Sequence, residues 1–532
     1  MSACAPLIVA GILGLTIAAL GGDRDKANLR GQETMSRQDV SAALHEVFRC
    51  EAELRLGEAQ AAYHRLEKAL AKSDDWRTQT AVAQGLRRIA QSRSAFSLTR
   101  SMLHERMAAT FSGYQPAEGD DWEKRGLIDF RVIDGEKRYA GIAPFNAAYR
   151  DGALRRRDPK MVAQDSQYAR VYLDQAAALD RARAAGKNPA RYVNPLDCVL
   201  RMKLTVLHAD LPPFDKLRAA PSKVEGPPGR TVRIWMPAPL LCPSIQDIRV
   251  VALRPEGGLK RLPDIEGEIG IAYLEVPHPR ENNLDLQLDI AFRAFATDFA
   301  VEPETVGDYD TGSDLYKRFT RSEQHIRLTP EVRALAQGII RGETNPYHKA
   351  RALYDWVVTN IPYSGIWPWR ESIFSPFGSG SQEVMERRCG DCVVQSLFYA
   401  ALCRSVGVPA RVSGGFIFVP GFNNDHFWAE VYLPGFGWMP VDVTASEGAQ
   451  LAADLTPAQR MTLRDFFFGR LDPYRLPNHR SDVVQVLLPE KRSPRRRAAF
   501  FTRPELECGG KDIETIHFDW SCDSRPAAVS SN

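Results

Sequence analysis

Residues 388–406 read RCGDCVVQSLFYAALCRSV, and the fold is organised around this stretch. The apolar residues that follow Cys392 recur at the spacing of an amphipathic helix with one buried face; they are Val393, Val394, Leu397, Phe398, Ala401 and Leu402. Asp391 is a good N-cap, and Gly407 with the proline two residues later ends the helix. Cys392 is therefore predicted in the first helical turn, where unpaired backbone N–H groups and the helix dipole favour a thiolate. The stretch predicts a helix that begins with a candidate nucleophile.

Two candidate partners of Cys392 follow it along the chain. The segment after the helix predicts a strand at 410–419, a loop at 420–425, a strand at 426–433, a turn at 434–437 and a strand at 438–443. This hairpin places His426 and Asp442 on neighbouring strands near one end, with a bulge at Gly435 or Gly437 available to set the register. Cysteine, histidine and aspartate then supply the nucleophile, the base and the orienting carboxylate that thiol catalysis needs.

An ordered set of short motifs resembles the transglutaminase-like superfamily. The motifs are 390–392 (GDC), 407–411 (GVPAR), 426–432 (HFWAEVY), 437–438 (GW) and 441–444 (VDVT). Their spacing is also similar, with 34 residues from Cys392 to His426 and 16 from His426 to Asp442. Upstream stretches at 328–331 and 354–358 and downstream stretches at 468–472 and 488–489 extend the resemblance over roughly 325–490.

The resemblance implies a papain-like catalytic triad of Cys392, His426 and Asp442, with no cofactor and no metal ion. Members of this superfamily use such a triad for acyl transfer at amides, either to water or to an amine. The backbone N–H of Cys392 is the expected first oxyanion donor, and the second donor stays unassigned. One departure is Val443, where the family commonly has proline, and it is expected to cost little because the carboxylate carries the function.

Length and composition set outer bounds on the chain. With 532 residues, three or four domains are expected. A content of 69 Lys+Arg against 66 Asp+Glu gives no reason to expect nucleic acid as a partner. Nine cysteines in this length are not a disulfide scaffold.

Residues 3–20 form an uncharged apolar run that ends in small residues. This pattern predicts a cleaved export signal at 1–22, although no Lys or Arg precedes the run. An uncleaved membrane anchor and a true start further along, near Met35, are the alternatives. The first two readings place the protein outside the cytoplasm or in the cell envelope, that is, periplasmic or extracellular.

The predicted fold class is multidomain α+β, with a papain-like core in which a helix packs on an antiparallel sheet. Helix-forming stretches without proline favour a helical domain, and a strictly alternating run at 284–293 favours a sandwich strand. The predicted division is a mainly helical domain at 36–210, a small β-sandwich at 231–300, the transglutaminase-like core at 325–490 and a charged tail at 491–532. Aromatic residues before the nucleophile either wall a substrate cleft or pack in the core; they are Tyr363, Trp367, Trp369, Phe374 and Phe377.

Three other readings of the site compete with the triad, and the zinc reading fails on geometry. Cys389 and Cys392 form a C-x-x-C motif, which in a β-α-β context indicates a redox dithiol, but the polar stretch before it does not read as a strand. A zinc site that adds Cys403 and His426 fails, because eleven residues of helix separate Cys392 from Cys403 by about 16 Å. A non-catalytic binding module with the same fold is the third. Glu430 is a weaker candidate than Asp442 for orienting His426, or forms a structural ion pair.

The sequence therefore predicts a thiol enzyme that acts on a protein or peptide substrate. Cys392 attacks an amide or peptide carbonyl, His426 transfers the proton, and Asp442 orients His426. Two outcomes fit this chemistry, peptidase or amidase action on the one hand and transfer of protein glutamine to amines on the other.

Overall fold

The computed structural model describes residues 37–71, 73, 75–185, 191–211, 231–261, 268–365, 379–480, 487, 489, 491, 502–513 and 516–527. The predicted signal or anchor at 1–22, most of the basic run after 491, and the aromatic residues Trp367, Trp369, Phe374 and Phe377 lie outside these residues. Within the described part of the chain, no helix is long and apolar enough to cross a membrane.

The described elements alternate between helical and strand-rich regions. The helices are α1 (Arg37–Ala52), α2 (Leu56–Leu70), α3 (Trp76–Ala95), α4 (Arg100–Thr110), α5 (Pro116–Lys124), α6 (Ala143–Arg150), α7 (Gly152–Arg155), α8 (Pro159–Ala184), α9 (Asp314–Phe319), α10 (Pro330–Ile340), α11 (Pro346–Asn360), α12 (Gly380–Arg387), α13 (Cys392–Ser405), α14 (Val443–Ala449) and α15 (Pro457–Phe466). The strands are β1 (Phe130–Ile133), β2 (Glu136–Tyr139), β3 (Tyr192–Val206), β4 (Thr231–Pro237), β5 (Ile245–Arg254), β6 (Leu259–Arg261), β7 (Ile271–Pro277), β8 (Leu284–Asp298), β9 (Ala410–Val419), β10 (Phe422–Leu433), β11 (Gly437–Val441), β12 (Arg470–Leu471), β13 (Arg475–Arg480), β14 (Glu505–Cys508), β15 (Lys511–Asp512) and β16 (His517–Pro526). The predicted multidomain α+β fold is confirmed.

The N-terminal helices divide between two hydrophobic cores. Helices α1–α7 and the β1–β2 hairpin enclose a core of their own. Helix α8 begins as its sequence predicts, with Asp158 accepting hydrogen bonds from the second and third helical N–H groups and proline in the first turn. Its buried face, which includes Ala169, Tyr172 and Leu179, belongs instead to the core around α13. Helix α8 is thus the element through which the helical region joins the central core.

The strand-rich region extends beyond the β-sandwich predicted at 231–300. One sheet has the order β12-β8-β3-β16 with β5 also on β8, and the other has the order β15-β14-β4-β7-β6. Strand β3 comes from the predicted helical region, and β14 and β16 come from the predicted tail. The burial of β3 alternates from Cys198 to Val206, and its long pairing with β8 fixes it as a strand. Such long-range pairing, rather than local propensity, decides the fate of these segments.

The central core packs α13 against the sheet β11-β10-β9-β13. All fourteen residues of α13 are buried, so the predicted amphipathic helix with one wet face is wrong. Two of its buried polar residues have partners that compensate for the lost water: Ser396 donates to the Cys392 carbonyl at 2.6 Å and Arg404 donates to the Ala410 carbonyl at 2.8 Å.

Candidate active site

Cys392 is the first residue of α13. The Asp391 carboxylate caps the helix as predicted, because its Oδ1 accepts the N–H groups of Val393 at 3.1 Å and Val394 at 3.2 Å. The Cys392 residue is 8% exposed, so the thiol lies just below the surface. The sequence thus places the thiol where it was predicted, at the start of a buried helix.

The charge state of Cys392 differs from the prediction of a stabilised thiolate. Burial raises the pKa of the Cys392 thiol well above its ordinary value, and the carboxylates of Asp391 and Asp442 raise it further. The backbone N–H of Phe427 donates toward the sulfur and acts in the opposite direction. Because the negative charge of Asp391 already occupies the helix N-terminus, the helix dipole stabilises a thiolate at Cys392 less than an N-terminus without a carboxylate would. Cys392 is therefore a neutral thiol that needs a base.

His426 lies on β10, next in sequence to the residue whose N–H points at the sulfur. Strand β10 begins earlier than predicted, at Phe422, because a two-residue Pro-Gly turn returns the chain directly onto β9; Gly421 has the positive φ that this turn requires. The His426 side chain is 12% exposed and lies nearly parallel to the Trp428 ring, 6.3 Å between centroids. Its Nε2 lies 2.7 Å from Asp442 Oδ2. When Nε2–H donates to the carboxylate, Nδ1 is the ring nitrogen left for another partner.

Asp442 does not lie on the returning strand. Strand β11 ends at Val441, and its pairing with β10 shows no shift, so the predicted bulge at Gly435 or Gly437 is absent from this pair. Asp442 instead caps α14, with its Oδ1 accepting the Ala445 N–H at 2.9 Å. The N-cap leaves Oδ2 free to face His426. Val443 takes the first helical position, which proline also suits, so this departure from the family pattern keeps the same local structure.

Arg475 of β13 holds Asp442 from the other side, a contact that the sequence reasoning missed. Its Nη1 donates to Asp442 Oδ2 at 2.5 Å and its Nε to Asp472 Oδ2 at 2.8 Å. Burial alone would raise the pKa of Asp442, but the charges of His426 and Arg475 hold it below its ordinary value. The local signal was an Asp-x-x-Arg spacing from Asp472 to Arg475.

Glu430, the second candidate for orienting His426, has a different partner. Its Oε2 accepts a hydrogen bond from Arg411 Nε at 2.6 Å, and the two residues face each other across β9 and β10. Arg411 also lies over the Trp438 ring, 4.1 Å from its centroid. Glu430 therefore forms the structural ion pair that was the alternative reading.

The two other cysteines near the site lie in different surroundings. Cys389 Sγ lies 3.5 Å from Nη2 of Arg150, which also donates to Asp129. Cys403 lies in the last turn of α13, where burial raises the pKa of its thiol to about 12. Among the described residues there is no group of three or more His, Cys, Asp and Glu side chains that could hold a metal ion.

A partly buried carboxyl faces Gln395, which is one helical turn along α13 from Cys392. Glu447 of α14 accepts the Tyr363 N–H and lies 3.3 Å from Gln395 Nε2. Burial raises the pKa of Glu447 to about 8, although the Tyr363 N–H and Gln395 oppose this. The carboxyl is therefore protonated at neutral pH. Tyr363 is itself packed against Tyr149 of α6, with 4.8 Å between ring centroids.

Comparison with known proteins places this site in a family context. Residues 333–443 match the sequence profile of the Transglutaminase-like superfamily, a span that includes Cys392, His426 and Asp442. An uncharacterized protein of Haemophilus influenzae is 29% identical over 163 residues, which is 24% of this chain and 39% of that protein. The chain therefore spans about two fifths of the length of this curated relative.

Two solved structures resemble the chain at low sequence identity. A candidate cysteine protease from Cytophaga hutchinsonii is 16% identical, with a TM-score of 0.36 over 64% of this chain and 94% of that one. The periplasmic domain of TgpA from Pseudomonas aeruginosa is 17% identical, with a TM-score of 0.23 over 48% of this chain and 91% of that one.

Proposed function

We propose, from the premise that this chain carries a core of the transglutaminase-like superfamily at 333–443, that it is a thiol-dependent acyl-transfer enzyme. The observation that carries the proposal is the 2.7 Å contact between His426 Nε2 and Asp442 Oδ2. Phe427, the residue after this histidine, donates its backbone N–H toward the Cys392 sulfur, so the cysteine lies next to the His426–Asp442 pair. The substrate class is an amide or peptide bond of a protein or peptide.

The first half-reaction begins with the neutral thiol. As the Cys392 sulfur bonds to the carbonyl carbon, its proton passes to His426 Nδ1, and the Asp442 carboxylate stabilises the imidazolium that forms. The backbone N–H of Cys392 at the helix start is the donor that we assign to the oxyanion. When the C–N bond breaks, the amine leaves with the proton from His426, and the acyl group stays on Cys392 as a thioester.

The second half-reaction releases the acyl group. Water or a second amine gives a proton to His426 Nδ1 while it attacks the thioester carbon. The Cys392 sulfur leaves and takes the proton back from the imidazolium. Water gives peptidase or amidase action, and an amine gives transfer.

The raised pKa of Cys392 makes His426 essential to this scheme. A cysteine that is already a thiolate can react without a base, whereas a neutral thiol must lose its proton during attack. Loss of His426 is therefore expected to abolish the reaction rather than to shift its pH dependence.

The location that we propose is outside the cytoplasm or in the cell envelope. It rests on the apolar run at 3–20, read as an export signal or an anchor. A reporter fusion to this segment that stays in the cytoplasm would contradict it.

Product analysis tests the proposed reaction. A mixture of synthetic peptides is incubated with the protein, with and without a fluorescent primary amine, and the products are identified by mass spectrometry. Cleaved peptides or amine-labelled peptides are expected from the wild type and from Cys389→Ser, and from neither Cys392→Ala nor His426→Gln. Activity that survives in Cys392→Ala would overturn the proposal.

A non-catalytic binding module is the second candidate, favoured by the burial of Cys392 and by its raised pKa. It predicts peptide binding that is equal in the wild type and in Cys392→Ala, with no product from either. The same incubation, followed by a binding measurement, distinguishes the two functions.

A further inference from the structure

We infer that Arg475 is a positioning residue that keeps Asp442 ionised and aimed at His426, with Asp472 as its anchor. This inference deepens the proposed function and rests on it. The four side chains form one chain of contacts from the imidazole into the core. His426 meets Asp442 at 2.7 Å, Asp442 meets Arg475 at 2.5 Å, and Arg475 meets Asp472 at 2.8 Å.

The burial of this chain explains why Asp442 needs a cation. The side chains of Asp442 and Asp472 are fully buried, and that of Arg475 is 3% exposed. A carboxylate without water is unstable unless a cation or several hydrogen bonds compensate for the lost solvation. Arg475 supplies the permanent positive charge.

The same core holds a carboxyl, Glu447, on which the charge of Arg155 acts without a direct ion pair between the two described residues. Glu447 is partly buried, makes hydrogen bonds to Tyr363 N–H and Gln395, and has a pKa raised to about 8. Asp442 is more deeply buried than Glu447, but it lies against Arg475 as well as His426, and its pKa is held below the ordinary value. The contrast fits a role for the direct arginine contact in keeping Asp442 ionised.

The shape of the guanidinium suits this role. Two of its nitrogens hold two carboxylates at fixed angles, which a lysine ammonium cannot reproduce. The guanidinium is further enclosed by aromatic rings, with its central carbon 5.4 Å from the Trp428 centroid and 5.9 Å from that of Phe467. Because Trp428 also lies against His426, the arginine, the indole and the imidazole are packed as one unit.

Several other groups face Asp442 and bear on its ionisation. They come from every element around it: Cys392 of α13, His426 of β10, Thr444 and Ala445 of α14, Arg475 of β13, Tyr168 of α8 and Tyr354 of α11. Both tyrosines have pKa values raised above the ordinary value by burial, so they stay neutral in the working range. Arg475 is therefore the one permanent cation in this set of described groups.

The test compares two buried pairs of the same sheet. The double variant Arg475→Met/Asp472→Asn avoids leaving Asp472 unpaired, and the introduced asparagine can still accept the Tyr474 N–H that Asp472 accepts at 3.0 Å. The matched control is Arg411→Met/Glu430→Gln, which removes the other buried Arg–carboxylate pair without touching Asp442. Thermal melts first establish that both variants are folded.

The readout is the rate at which iodoacetamide alkylates Cys392, measured by mass spectrometry from pH 5 to pH 9. In the Arg475→Met/Asp472→Asn variant, the acid limb of the pH–rate curve is expected to move up by about one to two pH units. Asp442 then takes up a proton in this range, and a neutral carboxyl no longer fixes the tautomer and orientation of His426 that base-assisted alkylation needs. Alkylation should fall on the order of tenfold at pH 6 and recover at higher pH. Arg475→Lys should bring the limb back toward the wild-type position, and the control pair should leave it unmoved.

Each outcome decides one question. An unmoved acid limb in the Arg475→Met/Asp472→Asn variant, or an equal shift in the control pair, overturns the inference about Arg475. A further fall in rate when Arg475→Met/Asp472→Asn is added to Asp442→Asn also overturns it, because the arginine would then act by a route other than Asp442. Failure of the proposed function is separate and visible in the wild type, where Cys392 would alkylate no faster than in His426→Gln.

Discussion

Replacing Asp442 by Asn removes the charge on which the proposed reaction depends. In the wild type, the carboxylate lies between His426 and the cationic Arg475. In Asp442→Asn, the imidazolium that forms during attack would face a neutral amide backed by a positive guanidinium. Turnover is expected to fall about 10³- to 10⁴-fold, or about 4 to 5.5 kcal/mol, by analogy with amidation of a serine-protease triad.

Stability should fall less than the rate in Asp442→Asn, because Arg475 loses the Asp442 carboxylate but keeps Asp472 as a buried partner. Asparagine is as good an N-cap as aspartate, so α14 keeps the hydrogen bond to Ala445 in one amide orientation. Glu430→Gln should show the opposite pattern, because it leaves Arg411 buried without its carboxylate. That loss costs about 3 kcal/mol of stability, with turnover little changed.

The assay is turnover of one amide substrate by both variants, with urea unfolding curves for each. We expect Asp442→Asn to lose most of its turnover with a smaller loss of stability, and Glu430→Gln to stay active with a weakened fold. If Glu430→Gln loses turnover and Asp442→Asn keeps it, the assignment of the orienting carboxylate is refuted.

Three other predictions concern the titration of His325, the titration of Glu447 and the effect of a metal chelator. Burial lowers the pKa of His325 from 6.5 to about 4. The unfolded chain therefore binds this proton first, and stability is lost as the pH falls from 6.5 toward 4. His325→Leu should remove about 2.5 kcal/mol of that loss at pH 4.5, and its urea midpoint should depend less on pH than that of the wild type. Burial raises the pKa of Glu447 to about 8, so its contribution to stability is present below about pH 4.5 and is lost as the pH rises toward 8. Glu447→Gln should therefore be more stable than the wild type at pH 7 by about 3 kcal/mol, measured by urea unfolding. A less stable variant would show that the carboxyl is ionised at that pH. A metal chelator should leave turnover and the melting temperature unchanged, and loss of activity together with stoichiometric released zinc would contradict a metal-free thiol reaction.

Local signals in the sequence placed the reactive groups well. The Asp391 cap and the apolar spacing after Cys392 located the helix start to the residue. The order of His426 and Asp442 on a hairpin was enough to bring them together, although Asp442 turned out to cap a helix. Both features depend on neighbours in sequence, which is why they could be predicted.

Other features depend on residues far apart in the chain. Whether α13 has one wet face or none is decided by the elements that cover it, not by its own pattern. Strand β16 pairs with β3 some three hundred residues earlier, and nothing within 517–526 indicates this partner. Arg475 is separated from Asp442 by two helices and a short strand, so its contact could not be read from spacing.

The most direct test of the central claim is to trap the acyl group on the enzyme. An amide substrate is mixed with the wild type, the reaction is quenched in acid during turnover, and the digested protein is searched for the added acyl mass. The account predicts a hydroxylamine-sensitive acyl group on Cys392, absent in His426→Gln and present in Cys389→Ser. Turnover without any acyl group on Cys392, or an acyl group on Cys389 instead, would contradict it.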